Sequence, residues 1–167
     1  NIKSRVNKGW PTGALKLLNQ KYAKELLDPV EIDQQKELIA KGYFLANKNE
    51  LAVKYATQAL NRSKEHVAFA YWTAGLSAWR LNNYELAADF FSSFAIALKD
   101  DPWHQSSGSF WAARSFGQLK NYKKINFWLQ VASQNSETFY GQLSLNILGI
   151  KNYIDWKNEK LDPNTEK

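Results

Sequence analysis

The sequence predicts an all-α fold assembled from helix hairpins, and three observations support this prediction. Apolar residues recur with the period of amphipathic helices, whereas the alternation that is typical of strands is scarce. The chain has only four prolines and eight glycines, so helix breakers are few. Similar segments also return at intervals of 35 to 38 residues, which indicates a repeated helix–turn–helix unit.

Helix positions follow from the apolar faces and from residues suited to helix ends. We expect Asn49, Asn83 and Asn121 to be N-caps, because each directly precedes a periodic apolar segment. A further helix follows Ser136, which we expect to be its N-cap, and ends near Gly149, a residue suited to a helix C-terminus. The apolar faces consist of Leu51 to Leu60, Trp72 to Trp79, Ala87 to Leu98, Phe110 to Gly117 and Ile125 to Ala132.

The repeat is clearest where two segments are aligned, "WRLNNYELA" at 79–87 and "GQLKNYKKI" at 117–125. Earlier copies are "LANKNELA" at 45–52 and "WPTGALKLL" at 10–18. Corresponding positions form a ladder of Ala14, Ala52, Ala87 and Ile125, with steps of 38, 35 and 38 residues. Periods of this length are typical of tetratricopeptide-like α-solenoids, in which stacked hairpins share one core. The predicted fold is therefore an α-solenoid, or superhelix, of tetratricopeptide-like hairpins over residues 1–149.

Composition excludes several classes of function. With no cysteine, the chain has no disulfide, catalytic thiolate or cysteine-ligated metal. No stretch has the apolar length that a membrane span requires. The net charge is +6, but the first 60 residues hold ten basic against six acidic residues, and no basic run stands alone. We therefore expect solvated lysines and no nucleic-acid partner.

The segment 110–149 resembles the superhelical region of the soluble lytic murein transglycosylase family. The resemblance covers roughly residues 35–150, with residues 70–91 similar to the preceding hairpin of that region. In the family, a helix with an aromatic–Trp–x–Ala–Arg pattern is followed by a small apolar seam and a Thr-Phe-Tyr-Gly helix that ends on Leu-Gly. The matching residues here are Phe110, Trp111, Ala113, Arg114, Leu129 to Ala132, Thr138, Phe139, Tyr140, Gly141, Leu148 and Gly149.

The resemblance implies structural roles for these residues. We expect Phe139 and Tyr140 to pack under the preceding hairpin and Gly141 to admit a closely packed helix. Arg114, the one charge within an apolar helix face, is expected to pair with a carboxylate or with a helix C-terminus. Generic aromatic packing explains the local pattern about as well, so the order and spacing of several elements favour the family.

The resemblance also implies that this chain is not catalytic. Enzymes of that family cleave peptidoglycan with a glutamate in a Glu-Ser context inside a lysozyme-like domain, and this sequence has no Glu-Ser pair. We expect residues 150–167 to be a short element or linker towards that domain, and the opening without Met to mark a processed chain or excised domain. The implied partners are the chain's own catalytic domain and, through it, periplasmic peptidoglycan. The oligomeric state stays open.

A search for other chemistry finds no constellation of catalytic or metal-binding residues. Glutamates occupy predicted polar faces or turns, namely Glu25, Glu31, Glu37, Glu50, Glu65 and Glu85. His66, at a predicted helix start, and His104, in a predicted loop, form neither a triad nor a zinc site. Asp100 and Asp101 precede Pro102 as a helix stop. No cofactor is expected.

The seven tryptophans allow two interpretations, sugar-stacking platforms or core. Core spacing favours burial of Trp72, Trp79 and Trp128, whereas Trp10, Trp103 and Trp156 are the candidates for surface contacts. A different class of function stays open beside the transglycosylase scaffold. The hairpin ladder alone is equally compatible with a stand-alone tetratricopeptide-like adaptor that binds a peptide or protein.

Overall fold

The structure, a computed structural model, describes residues 1–151, apart from the side chain of Lys24. Within this range the chain is all-α, as the sequence predicts, with ten helices and no strand. The helices are α1 Ile2–Asn7, α2 Pro11–Leu18, α3 Lys21–Leu26, α4 Pro29–Leu45, α5 Asn49–Ser63, α6 Phe69–Arg80, α7 Tyr84–Ala97, α8 Pro102–Gln118, α9 Tyr122–Ser133 and α10 Phe139–Ile147. Most of the predicted linker, including Trp156, lies outside the described residues.

The helices pack in chain order. From α4 to α10 each helix contacts the next, and α1 and α2 both contact α4. Contacts across one intervening helix join α4 to α6 and α8 to α10. Four apolar clusters run along this row of helices, and each contains residues from three or more helices.

Five helix ends share one geometry. Each has a residue with positive φ directly after the C-cap, and these residues are Gly9, Asn47, Asn82, Lys120 and Gly149. At the end of α6, Asn82 N–H donates to Trp79 O and Asn83 N–H donates to Ala78 O, both at 3.0 Å. These two bonds satisfy carbonyls left free at the helix end, the Schellman pattern. The same pair of bonds ends α1, α4, α8 and α10.

The ladder positions occupy equivalent places in successive helices. Ala14, Ala52, Ala87 and Ile125 are each the fourth helical residue of α2, α5, α7 and α9. The three alanines are fully buried and Ile125 is half-buried. A small side chain at this position allows the preceding helix to approach closely, which explains the recurrence seen in the sequence.

Two of the four predicted N-caps are confirmed. Asn83 accepts from Leu86 N–H, and Asn121 accepts from Lys124 N–H. The prediction for Asn49 is wrong, because Lys48 is the N-cap of α5 and the Asn49 amide donates to Asn47 Oδ1 instead.

The prediction for Ser136 is also wrong. The N-cap of α10 is Thr138, whose hydroxyl accepts from Gly141 N–H at 3.0 Å. Two serine or threonine residues lie in this turn, and the backbone before Thr138 is not yet helical. Both Ser136 and Thr138 therefore have a side chain suited to an N-cap, and the backbone of the turn makes Thr138 the residue that directly precedes α10.

A buried carboxylate joins α4 to α5. Asp33 is completely buried and accepts from Arg62 Nε at 2.7 Å, from Ser63 Oγ at 2.8 Å and from Lys36 Nζ at 3.0 Å. Burial raises the pKa of Asp33, but the hydrogen bonds from Arg62, Ser63 and Lys36 outweigh burial and hold that pKa below its usual value. Arg62 also donates to Pro29 O at 2.7 Å, so the network fixes the start of α4 against the end of α5.

Candidate functional site

The residues of the 110–149 motif come together where α8, α9 and α10 meet. Trp111 Nε1 donates to Tyr140 Oη at 3.2 Å, and the Phe110 and Tyr140 rings lie 5.1 Å apart. Tyr140 and Leu148 pack on the cluster formed by Phe110, Ala113, Leu129 and Ala132. Tyr140 thus lies against the α8–α9 hairpin, which is where the sequence placed it.

Phe139 does not pack under that hairpin. It is the first residue of α10 and is 65 % exposed, so the expectation for this side chain is wrong. Successive residues on a helix point about 100° apart, and here Tyr140 faces the hairpin while Phe139 is exposed to solvent. Tyr140 is held against the hairpin by the hydrogen bond that its hydroxyl accepts from Trp111 Nε1.

Gly141 is required by a turn and not by a neighbouring helix, contrary to expectation. A Cβ at this position would overlap the carbonyl oxygen of Asn135 and would lie 2.9 Å from Thr138 Oγ1. Thr138 Oγ1 in turn lies 2.8 Å from both Ser106 Oγ on α8 and Asn135 O. The α9–α10 turn therefore folds back onto the first turn of α10. Gly149 has a φ of +70°, as its predicted place after the helix end requires.

Arg114 forms no ion pair within the part of the chain that the structure describes, so the predicted carboxylate partner is wrong. Its guanidinium lies 4.6 Å from the ring centroid of Trp111 and 5.2 Å from that of Trp79. Arg114 is exposed, so cation–π contacts with two indoles replace the expected pair.

The tryptophans divide largely as their spacing predicted. Trp72, Trp79 and Trp128 are half-buried, whereas Trp10 and Trp103 are 55 % and 60 % exposed. The Trp111 ring lies edge-on to the rings of Trp79 at 5.5 Å and Trp72 at 6.3 Å. An aromatic row therefore connects α6 with α8.

A pocket of about 470 Å³ opens between α4 and α6, at one end of this row. Its lining repeats at helical spacing on both helices: Glu37, Leu38, Lys41, Phe44 and Leu45 from α4, and Phe69, Trp72, Thr73 and Leu76 from α6. The walls are mostly apolar, and Glu37 and Lys41 supply the charges. An apolar pocket with a few polar groups is the usual form of a ligand site in proteins.

Glu37 is the residue of this pocket that the sequence analysis did not single out. The other five glutamates considered are exposed, but Glu37 is half-buried and its Oε1 is fully covered without a hydrogen-bond partner among the described residues. Burial raises the pKa of Glu37, and the N–H groups of Ala70 and Phe69 at the start of α6 only partly oppose this. A second apolar stripe on α4, at Leu38 and Leu45, was the available signal.

No second carboxylate lines this pocket, so the arrangement differs from the paired carboxyls of most glycosidases. The histidines exchange their predicted places: His66 lies in the α5–α6 turn, and His104 lies in the first turn of α8 with Nδ1 2.8 Å from Asp101 Oδ2. Asp100 and Asp101 do not end a helix, as was expected, because α7 already ends at Ala97; Asp101 is instead the N-cap of α8. Among residues 1–151, no cluster of three or more potential metal ligands occurs.

Comparisons of the chain with protein-family models, with curated proteins and with solved structures find no match. None of the described helices is both long enough and apolar enough to cross a membrane.

Proposed function

We propose that this chain is the non-catalytic superhelical scaffold of a periplasmic, lytic transglycosylase-like enzyme that acts on peptidoglycan. The observation that carries the proposal is the convergence of the motif residues. Trp111 and Tyr140 are 29 residues apart and share a hydrogen bond, and Thr138 lies against Ser106 across a similar separation. The motif on which the resemblance rests is therefore one packed unit and not a scatter of separate matches.

The architecture agrees with such a scaffold. We infer that the hairpins form a tetratricopeptide-like α-solenoid, since the same Schellman turn recurs five times and the ladder residue keeps its place in four helices. Within the enzyme, the solenoid would support a lysozyme-like domain that supplies the catalytic glutamate. The exposed aromatic rings of Trp103 and Phe139 would offer faces on which pyranose rings of the glycan can stack.

The size of the native protein tests this proposal. An antibody raised against this chain is used to probe immunoblots of fractionated source cells. We expect a band far above 19.2 kDa, the mass of this chain, in the periplasmic or envelope fraction. A native band close to that mass, or one confined to the cytosolic fraction, would contradict the scaffold proposal.

The second candidate function is a stand-alone adaptor that binds a protein or peptide. The α4–α6 pocket favours it, because an open apolar pocket on a helical repeat is suited to an inserted side chain. Affinity purification of the native protein from source cells tests this candidate. Recovery of a stoichiometric partner together with a native mass near 19.2 kDa would favour the adaptor over the scaffold.

A further inference from the structure

The α4–α6 pocket has the geometry of a specific binding site. Phe44, Phe69 and Trp72 supply aromatic surface, and Leu38 and Leu76 supply aliphatic surface, around about 470 Å³. The Arg80 guanidinium lies 3.9 Å from the centroid of the Phe44 ring and donates to Phe44 O at 3.1 Å. This side chain fixes the Phe44 ring at the pocket wall.

The charge in the pocket is unusual for a helix surface. Glu37 and Lys41 have the i,i+4 spacing that favours an ion pair, yet they form none among the described residues. By contrast, the exposed Lys21 and Glu25 at the same spacing approach to 3.8 Å. Lys41 is exposed at the rim, and the Glu37 carboxylate is half-buried among the apolar lining.

The Glu37 carboxylate still has unused hydrogen-bonding capacity. Its Oε1 is covered and has no hydrogen-bond partner among the described residues, although burial raises the pKa of Glu37 and the backbone N–H groups of Ala70 and Phe69, together with the charge of Lys41, partly lower it. A half-buried carboxylate in an apolar pocket is costly unless a donor satisfies it. The complement of this site is therefore a cationic donor on an apolar stem.

We propose that the α4–α6 pocket binds the side chain of a lysine from a partner peptide. The butyl stem of lysine would lie against Leu38 and Leu76, with its ammonium directed to Glu37 and to the faces of Phe69 and Trp72. This inference goes beyond the scaffold role, and it holds for either function proposed above. An anionic group is disfavoured at Glu37 by like charge.

Two blocked pentapeptides test the proposal, one with a central lysine and one with norleucine, which lacks the ammonium, at that position. Binding to the full chain labelled with ¹⁵N is followed by NMR at neutral pH. We expect saturable shifts of the Phe69, Thr73 and Leu76 amides and roughly tenfold tighter binding of the lysine peptide, a preference that one charge-assisted hydrogen bond supports. Because this comparison uses the wild-type chain, it does not depend on the folding of a variant.

Two variants test whether the preference for the lysine peptide depends on Glu37. Glu37→Gln keeps the size of the side chain and an acceptor for α6, and should reduce the lysine preference to about one. Glu50→Gln, on the exposed first turn of α5, is the matched control and should leave the preference unchanged. Equal binding of the two peptides to the wild-type chain, or a preference that survives in Glu37→Gln, would overturn the proposal.

A third probe separates the two sources of an alkylammonium group. Free n-hexylammonium carries the same ammonium and apolar stem without a peptide. Shifts with n-hexylammonium but none with the lysine peptide would overturn the assignment to a peptide and indicate a small amine instead. Binding of both probes, each weakened by Glu37→Gln, would support it.

Discussion

Replacement of Asp33 by asparagine tests the account of the α4–α5 junction most directly. The variant keeps the shape of the side chain but removes the charge, and its amide nitrogen places a donor opposite Lys36 or opposite Arg62 and Ser63. A hydrogen bond to a charged group contributes about 1.5–3 kcal/mol. Half of the Arg62 side chain is exposed and the Lys36 side chain is 23 % exposed, so both cations regain water in the variant.

Release of the carboxylate from burial offsets a further part of the loss. We therefore expect the free energy of unfolding to fall by ~2–3 kcal/mol, well below the sum of three charged bonds. For a chain of this length the melting temperature should fall by about 4–12 °C. Urea unfolding followed by far-UV circular dichroism measures the change. A loss below ~0.5 kcal/mol, the range of ordinary surface substitutions, would refute the reasoning.

The pH dependence gives an independent check on Asp33. Its folded-state pKa is lowered, so its contribution to stability is present above the unfolded value of about 3.9 and is lost as the pH falls through the lower folded pKa. The difference in unfolding free energy between wild type and Asp33→Asn should stay constant from neutral pH to about 5 and shrink below about 4. A difference that grows on acidification would contradict the assigned hydrogen bonds.

Five further substitutions are each judged by urea unfolding. Gly141→Ala should destabilise the chain by ~1–3 kcal/mol because its Cβ meets Asn135 O, whereas Gly117→Ala, whose Cβ meets open space, should stabilise it by ~0.5–1 kcal/mol; changes of the same sign would contradict this contrast. Thr138→Ala should cost ~1–2 kcal/mol and Ser136→Ala less than ~0.5 kcal/mol. Equal losses would mean that Ser136 stabilises the start of α10 as much as Thr138 does, against the assigned N-cap. Lys120→Gly should stabilise by ~0.5–1 kcal/mol through relief of a φ of 55°, and a loss would mean that the lysine side chain contributes contacts of its own.

The hairpin repeat was readable from the sequence because local rules produce it. Asn83 and Asn121 are preferred at N-caps and at turns, and the buried Ala52 and Ala87 keep their distance from the turn. Three helices were not predicted: α4, which has 17 residues, and the short helices α1 and α3. The two short helices have six residues each, and such helices are formed by tertiary packing more than by their own sequence.

The candidate site was less predictable because it depends on what the facing helix contributes. Glu37 was assigned to a polar surface, and only the packing of α6 against α4 turns its surroundings into an apolar pocket. Arg114 was expected to pair with a carboxylate or with a helix C-terminus, but its guanidinium lies against the indoles of Trp79 and Trp111. Phe139 and Tyr140 were both expected to pack under the preceding hairpin, but only Tyr140 does so.

The sequence by itself determined the helical class, the hairpin period and part of the turn chemistry of this protein. These features rest on backbone preferences and on apolar spacing, both of which are properties of a few consecutive residues. Only the tertiary structure decided which of two hydroxyls caps α10, why Gly141 is needed, and that the Glu37 carboxylate faces an apolar pocket. Those outcomes depend on the environment supplied by residues about 30 positions away, and burial and charge are set by that environment.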